Sequence, residues 1–248
     1  ALLKDAWKNR KNKRAKAPKH LRGGSLSFEN GMQDLVDALA IYLKDNITFN
    51  ADISVLEKTG IPTILCVPAY RAASFFKSHE LEKKMNEISY SPIISITLFV
   101  EQKNLPKFKA GFGCLIPRNE NYTILGVLFN HCIFDKRVTD EKLASLTCIM
   151  RDFDDILLKK TDKDLLNIVV NDLQKLFGLQ NDFLEYHIYR WPKGIPLYSP
   201  ALQDSRFEIQ ELLQKDFPNI RLFGNYTGQI SVRGMCQEAA KVGRYLAE

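Results

Sequence analysis

No stretch of this 248-residue chain approaches the roughly 18 unbroken apolar residues that a membrane-crossing helix requires. The longest apolar run, Ile93–Val100, is already interrupted by Ser95 and Thr97, so no spanning helix is expected. Paired cysteines are missing as well. The five present (Cys66, Cys114, Cys132, Cys148 and Cys236) are odd in number, far apart and without C-x-x-C spacing, which argues against a disulfide framework or a zinc ribbon. They read as reduced, mostly buried thiols of a cytosolic protein. Histidine is scarce: His20, His79, His131 and His187 fall in unrelated segments with no H-x-x-x-H or H-E-x-x-H spacing, so no metal site is expected. Cys132 adjoins His131, but neighbours on a strand point to opposite faces and do not act together as nucleophile and base. Asp152, Asp154 and Asp155 read as a charged turn rather than a cation site. Gly111-Phe112-Gly113 lacks the third glycine and the following helix of a dinucleotide fingerprint, and no G-x-G-x-x-G occurs elsewhere. No internal repeat is visible.

What is present is a folding chain. Apolar residues make up 45% and charged residues 26%, which excludes a disordered, collagen-like or low-complexity polypeptide, and the length suits one large domain or two small ones. Charge is unevenly placed. Residues 1–22 hold nine Lys or Arg against one acid, Asp5, whereas the rest of the chain is nearly neutral. Such a block attaches to anionic lipid or nucleic acid at roughly 1 kcal/mol per basic residue near the surface, or stands as a solvated face or tail. Leu2, Leu3, Ala6 and Trp7 beside it favour a membrane surface, and nothing else in the chain shows the basic stripe with aromatics expected of a nucleic-acid binder. The first residue is Ala rather than Met and no signal-peptide core follows, so the chain reads as processed, engineered or a fragment.

Periodicity predicts alternating layers. Met32, Leu35, Val36, Leu39, Ala40 and Leu43 at three-and-four spacing specify a helix with one buried face, expected to pack on a sheet. Short strands are expected around Ile47–Phe49 and Ile53–Leu56, then a buried strand between Pro62 and Pro68 that opens into a helix over Ala69–Phe76, a unit of open α/β layers. From Ser89 the pattern turns to strands without intervening helices: Ile93–Val100, Phe112–Ile116, Tyr122–Phe129 and Leu146–Met150, which suggests an antiparallel sheet. A helix within Asp155–Leu179 follows, with Gly178 as its stop, then a strand Tyr186–Trp191 and a Pro/Gly-rich loop Pro192–Pro200. A helix around Arg206–Gln214, a strand Ile220–Phe223 and a closing helix near Met235–Ala247 complete the chain.

The passage from Ile220 to Gly234 ends an apolar strand on small residues and leads into that last helix. Such a loop and helix start can offer N–H donors to an anion or an electron-rich ring oxygen; the plain alternative is an ordinary β-to-α turn.

Gly224-Asn225-Tyr226, followed by Ile230-Ser231-Val232, Cys236 and a small-residue helix, resembles the C-terminal flavin motif of the oxygen-dependent protoporphyrinogen oxidases, in the monoamine-oxidase-like flavoprotein superfamily. Four other segments are similar to that family in the same order: Ser27–Leu35; Val67-Pro68-Ala69-Tyr70; Gly111–Pro117 with Leu125-Gly126-Val127; and Tyr189-Arg190-Trp191-Pro192 with Ile195–Tyr198. The resemblance implies FAD as cofactor, a tetrapyrrole (protoporphyrinogen) as substrate and oxygen as electron acceptor, in haem biosynthesis. It implies a mixed α/β and α+β fold, the C-terminal part of a two-domain FAD-binding oxidoreductase with an antiparallel-rich substrate-domain sheet. Residues 25–76 and 186–248 would belong to the FAD-binding domain, 77–185 to the substrate-binding domain, and 1–24 to a basic segment touching an anionic membrane. Ile53 would hold the adenine end of FAD; Gly224, Ile230, Ser231 and Val232 would face its ring; Leu115, Leu128 and Ile149 would form an apolar clamp for the macrocycle. No catalytic side chain is implied, because the flavin takes the hydride. The family's G-x-G-x-x-G unit and the arginine it uses for a substrate propionate have no counterpart here, and Arg151-Asp152 stands where the family often has Gly-Gly. The expected location is cytoplasmic, peripheral on the inner membrane face, with a homodimer among the partners. The other readings are a flavin amine oxidase and a non-catalytic interaction module of the same architecture.

Overall fold

A computed structural model describes residues 27–51, 60–77, 79–134, 136–151, 156–180 and 183–247. Five strands make an antiparallel sheet: β2 (Tyr90–Glu101), β3 (Gly113–Leu115), β4 (Ile124–Phe129), β5 (Leu143–Arg151) and β6 (Glu185–Pro196), in the order β3-β4-β5-β2-β6. Alternation decides which face is buried. On β2 the residues Ile94, Ile96, Leu98 and Val100 point to one side, where they meet Leu146, Cys148 and Met150 of β5 and Val127 and Phe129 of β4. Helix α5 (Asp162–Phe177) closes that side with Leu165, Val169, Leu173 and Phe177, spaced by four. Its start is set by a capping box between Thr161 and Asp164, and its end by Gly178 in the left-handed conformation at φ 69°. Asp172, buried on the same helix, accepts from the Thr123 and Ile124 amides at 2.8 and 3.2 Å and so ties the start of β4 to α5.

A second core surrounds a two-stranded parallel pair, β1 (Thr63–Leu65) and β7 (Ile220–Leu222). Around it lie α2 (Ala69–Ala72), α3 (Glu80–Asn86) and α6 (Pro200–Asp216), contributing Ala69, Leu81, Met85, Ile209 and Leu213 among others, while Tyr226 fills the centre. Ser199 caps α6 through its hydroxyl, with Pro200 at the first turn. His79 caps α3 and Lys84 of α3 reaches Glu208 of α6 at 2.6 Å. The cores are joined where β2 and β6 begin and end: the Ala69 amide donates to the Tyr90 hydroxyl at 3.0 Å, and the Lys193 ammonium stands 4.5 Å from the Tyr70 ring centre. The chain closes with α7 (Val232–Ala247).

Several expectations need correction. Ile47–Phe49 is not a strand: it follows a 3-10 turn at Lys44–Asn46, and Phe49 lies open to solvent with no ladder beside it. Helix α1 (Gln33–Leu43) forms as the spacing predicts, yet it buries no residue, and Val36, Leu39 and Tyr42 are exposed. The segment Ile53–Leu56, like the acidic turn after Arg151 and the basic residues 1–22, falls outside the described residues. The expected loop at 192–200 is strand as far as Pro196, because β6 re-registers on β2 across a bulge and its prolines sit on a sheet edge that needs no donor from them. Ala69–Phe76 is one helical turn and a 3-10 turn rather than a continuous helix. His131 and Cys132 belong to a short helix, α4 (Asn130–Ile133), not to a strand. The cysteines are unpaired, but only Cys148 is buried; Cys66, Cys132 and Cys236 are exposed.

Candidate functional site

The face of the five-stranded sheet opposite α5 has no element of the described chain laid over it as α5 covers the other. Ladder register shows what lies on it. One row runs Leu115–Gly126–Ile149–Ser95–Tyr189, the next Leu128–Thr147–Thr97–His187, and on the other side of the first comes Arg151–Ile93–Trp191. The three residues expected to form an apolar clamp are therefore on three adjacent strands and on one face. Leu115 is 90% exposed and Leu128 39%, with Ile149 half-buried between them. Gly126 lets Leu115 lie flat: a side chain there would meet the Cys114 carbonyl at 2.6 Å and Leu115 at 3.2 Å. Beside the apolar corner, Thr97 and Thr147 share a hydrogen bond of 2.8 Å, and the Asn130 amide donates to Thr147 and Ser145 at 2.8 and 3.0 Å, so the polar groups of this face are largely satisfied within it.

The sequence reading missed the second half of this face, namely the aromatic edge of Tyr189 and Trp191 and the arginine at the end of β5. A partial signal was there: Ser145, Thr147 and Arg151, Ser95 and Thr97, and His187, Tyr189 and Trp191 are polar or aromatic at every second position, the pattern of a one-sided sheet, while Ile93 and Ile149 interrupt it.

The loop after β7 sits in the second core. Gly224 and Thr227 close it on themselves: the Thr227 amide and hydroxyl donate to the Gly224 carbonyl at 3.1 and 2.8 Å, and the Gly224 amide donates back to the hydroxyl at 3.2 Å. Arg206 donates to the Thr227 carbonyl and Tyr198 to that of Asn225. A Cβ at Gly224 would stand 2.9 Å from the Tyr226 ring, so the glycine is required by that ring's packing, and its amide is occupied within the loop rather than turned outward. The Tyr226 hydroxyl is buried without a hydrogen-bond partner among the described residues, and desolvation pushes its phenol well above the ordinary range. Desolvation likewise raises the Cys66 thiol at the end of β1.

At the start of α7, Ser231 accepts from the Gly234 amide at 3.0 Å and from the Met235 amide at 2.8 Å. The amides of Val232 and Arg233, in the first turn, have no intrahelical carbonyl to reach. Ile230 and Val232 flank them, 62% and 52% exposed. Bare amides at the positive end of a helix, bordered by exposed apolar side chains, fit the ring of a flavin, whose pyrimidine oxygens accept hydrogen bonds and whose faces are apolar. A cavity of about 550 Å³ opens alongside, between α6, β7 and α7. Ile53 lies outside the described residues, and among the described residues no glycine-rich strand-turn-helix seats a pyrophosphate. No metal-binding cluster occurs among them, nor any helix long and apolar enough to cross a membrane.

Residues 14–245 match the model of a family described as flavin containing amine oxidoreductase. The chain is 29% identical over 258 residues to protoporphyrinogen oxidase 2, chloroplastic/mitochondrial, of Arabidopsis thaliana, covering 91% of this chain and 50% of that protein. It is 27% identical to the mitochondrial protoporphyrinogen oxidase of Nicotiana tabacum, covering 87% and 49%. It thus spans about half the length of these curated relatives. Its fold is similar to that of cyclohexylamine oxidase from Brevibacterium oxydans, with a TM-score of 0.53 at 13% identity over 75% of this chain and 43% of that one.

Proposed function

The chain belongs to the flavin containing amine oxidoreductase family, and from that premise we propose that it supplies the substrate-gripping and ring-facing parts of an FAD-dependent oxidase converting protoporphyrinogen to protoporphyrin. The observation that carries this reading is the open sheet face, where Leu115, Leu128 and Ile149 stand together on strands whose other side packs into the core. A flat macrocycle gains about 25 cal/mol for each Å² of apolar surface it buries and needs few directed polar groups to do so. FAD, when bound, takes up the electrons of the porphyrinogen, six in all, and delivers them to oxygen. The chain's own residues bind, orient and exclude water: Leu115, Leu128 and Ile149 press on the macrocycle, and Ile230, Val232 and the amides at the start of α7 meet the flavin ring. On this reading residues 77–185 form the substrate side and 25–76 with 186–248 the flavin side.

No glycine fingerprint lies within these 248 residues, so flavin retention requires a βαβ unit in addition to them. Co-expression with a segment carrying G-x-G-x-x-G is expected to give a yellow protein that keeps its flavin through gel filtration and turns protoporphyrinogen into fluorescent porphyrin. A yellow product that oxidises primary amines and leaves porphyrinogen untouched would replace this reading with an amine oxidase. The basic residues 1–22 serve, on the same proposal, as a contact with anionic lipid at a cytoplasmic membrane face. Flotation with anionic vesicles checks that role, and should weaken when these residues are deleted or salt is raised.

A further inference from the structure

Resting on the reading of the open face as the tetrapyrrole site, we propose that Tyr189 and Trp191 of β6 form a second position on that face, one that holds the flat, oxidised tetrapyrrole in preference to the bent porphyrinogen. Three observations support it. Register puts both rings on the open side: Tyr189 ends the row Leu115–Gly126–Ile149–Ser95–Tyr189, and Trp191 ends the row beside it, next to Ile93. Both are widely exposed, 58% and 55%, and neither has a ring or cation contact among the described residues. The other rings of β6 are engaged: Tyr186, on the opposite face, is edge-on to Phe183 at 5.3 Å, and His187 is edge-on to Phe99 at 6.1 Å. Third, the floor before the two rings is low. Between Ile149 and Tyr189 the row holds only Ser95, with Thr97 and Thr147 in the row alongside. Gly194 keeps the aromatic end clear, since a side chain there would meet Ile93 at 3.2 Å and Trp191 at 3.3 Å. Leu115 and Tyr189 stand four strand spacings apart, about 19 Å, so a disc-shaped ligand lies between a leucine wall and an aromatic one.

A porphyrinogen carries its four pyrrole rings on tetrahedral methylene bridges and is bent, with no conjugation from ring to ring. Loss of six electrons and six protons, in the oxidation proposed above, makes every bridge trigonal and leaves one flat conjugated surface. Aliphatic side chains press on either form, because the burial of apolar area is non-directional. Aromatic rings add offset-stacked and edge-to-face contacts, which an extended flat partner satisfies and a bent one does not. The leucine corner therefore takes substrate and product, and the aromatic pair takes the product, drawing it towards the β6 edge of the face.

The test titrates the whole chain with protoporphyrin, followed by porphyrin fluorescence anisotropy, and then displaces it with protoporphyrinogen kept reduced under nitrogen. Tyr189→Leu combined with Trp191→Leu keeps apolar bulk and removes both rings. This variant is expected to bind protoporphyrin about fivefold more weakly and protoporphyrinogen less than about twofold more weakly. Tyr189→Phe combined with Trp191→Phe is expected to restore most of the lost affinity. Leu115→Gln is expected to weaken both ligands alike. Equal losses of the two forms in the leucine variant, or no loss of either, would overturn the aromatic position while leaving the face as the binding site. A wild-type chain that binds neither form, or a Leu115→Gln variant that binds both unchanged, would overturn the site and the aromatic position together. Unchanged urea midpoints show that the affinities compare folded proteins; where the double variant unfolds, Tyr189→Leu alone carries the same comparison.

Discussion

The two sides of the five-stranded sheet are made from alternate residues of the same strands, and they obey different rules. On the side of α5, Ile96, Leu98, Leu146, Cys148 and Met150 have no solvent exposure, and burial drives the Cys148 thiol well above its ordinary value. On the other side, one residue away in every strand, stand Leu115, Leu128, Thr97, Tyr189 and Trp191, partly or widely exposed. Neighbouring residues in sequence thus stand in different settings: one set holds the sheet together, and the other is left open, where the proposed function places a ligand. The comparison yields a graded set of expectations, because a substitution should act on stability or on binding according to the parity of its position.

The largest effect belongs to the closed side. Leu173→Ala in α5 removes a fully buried side chain from the centre of that packing and is expected to cost about 2–5 kcal/mol in urea denaturation. A loss below about 1 kcal/mol would mean that the closed side is not the main source of stability. Asp172→Ala comes next. Its carboxylate receives two backbone amides where β4 meets α5, and the variant leaves the buried Ile124 amide without that acceptor, a cost of about 1–3 kcal/mol. Porphyrin affinity should change in neither variant under conditions where both remain folded.

Much of the closed side was legible in the sequence, and the reason is periodicity. Ile94, Ile96, Leu98 and Val100 announce a strand, and Leu165, Val169 and Leu173 with Gly178 announce a helix and its end, because each pattern is repeated over several turns or pleats. The short elements were not legible in that way. Helix α4 is a single turn held by Asn130 and His131 to Ser145, 15 and 14 residues away, and β6 runs through Pro192 with β2 beside it. Tertiary partners define those pieces, and no local signal carries them. The candidate site divides likewise. Leu115, Leu128 and Ile149 came from a family resemblance, since apolar residues on strands look the same whether they face a helix or a ligand, and only the register separates the two cases. Gly224 shows the converse: a glycine in a loop suggests exposed backbone, whereas here the Tyr226 ring occupies the space beside it.

A smaller effect tests how the closing helix begins. The Thr161 hydroxyl donates to the Asp164 carboxylate at 2.7 Å, and this bond, ahead of the neighbouring lysines, holds the Asp164 carboxyl below its ordinary range. Since the folded value lies below the unfolded one, the stabilisation is fully present above the ordinary carboxylate value and is lost as pH falls through the folded one. Thr161→Ala should therefore lower the urea midpoint near neutrality by less than Asp172→Ala does, and the difference from wild type should shrink on acidification. A difference that grew towards low pH would contradict the assigned sign.

The smallest expected change in stability separates the two sides most sharply. Leu115 exposes 90% of its surface, so Leu115→Ala removes almost no buried contact and should alter stability by no more than about 0.5 kcal/mol. An exposed leucine of this kind is open to being covered by a ligand. If a macrocycle covers it, truncation gives up part of the roughly 1.5 kcal/mol that burying a leucine contributes, and porphyrin affinity should fall by up to about tenfold while the urea midpoint stays in place. The closed side predicts the reverse for Leu173→Ala, whose midpoint falls and whose folded fraction binds as before. A Leu115→Ala variant that lost stability as Leu173→Ala does would show that the open face is already covered by the protein itself, and the distinction between the two sides would fail.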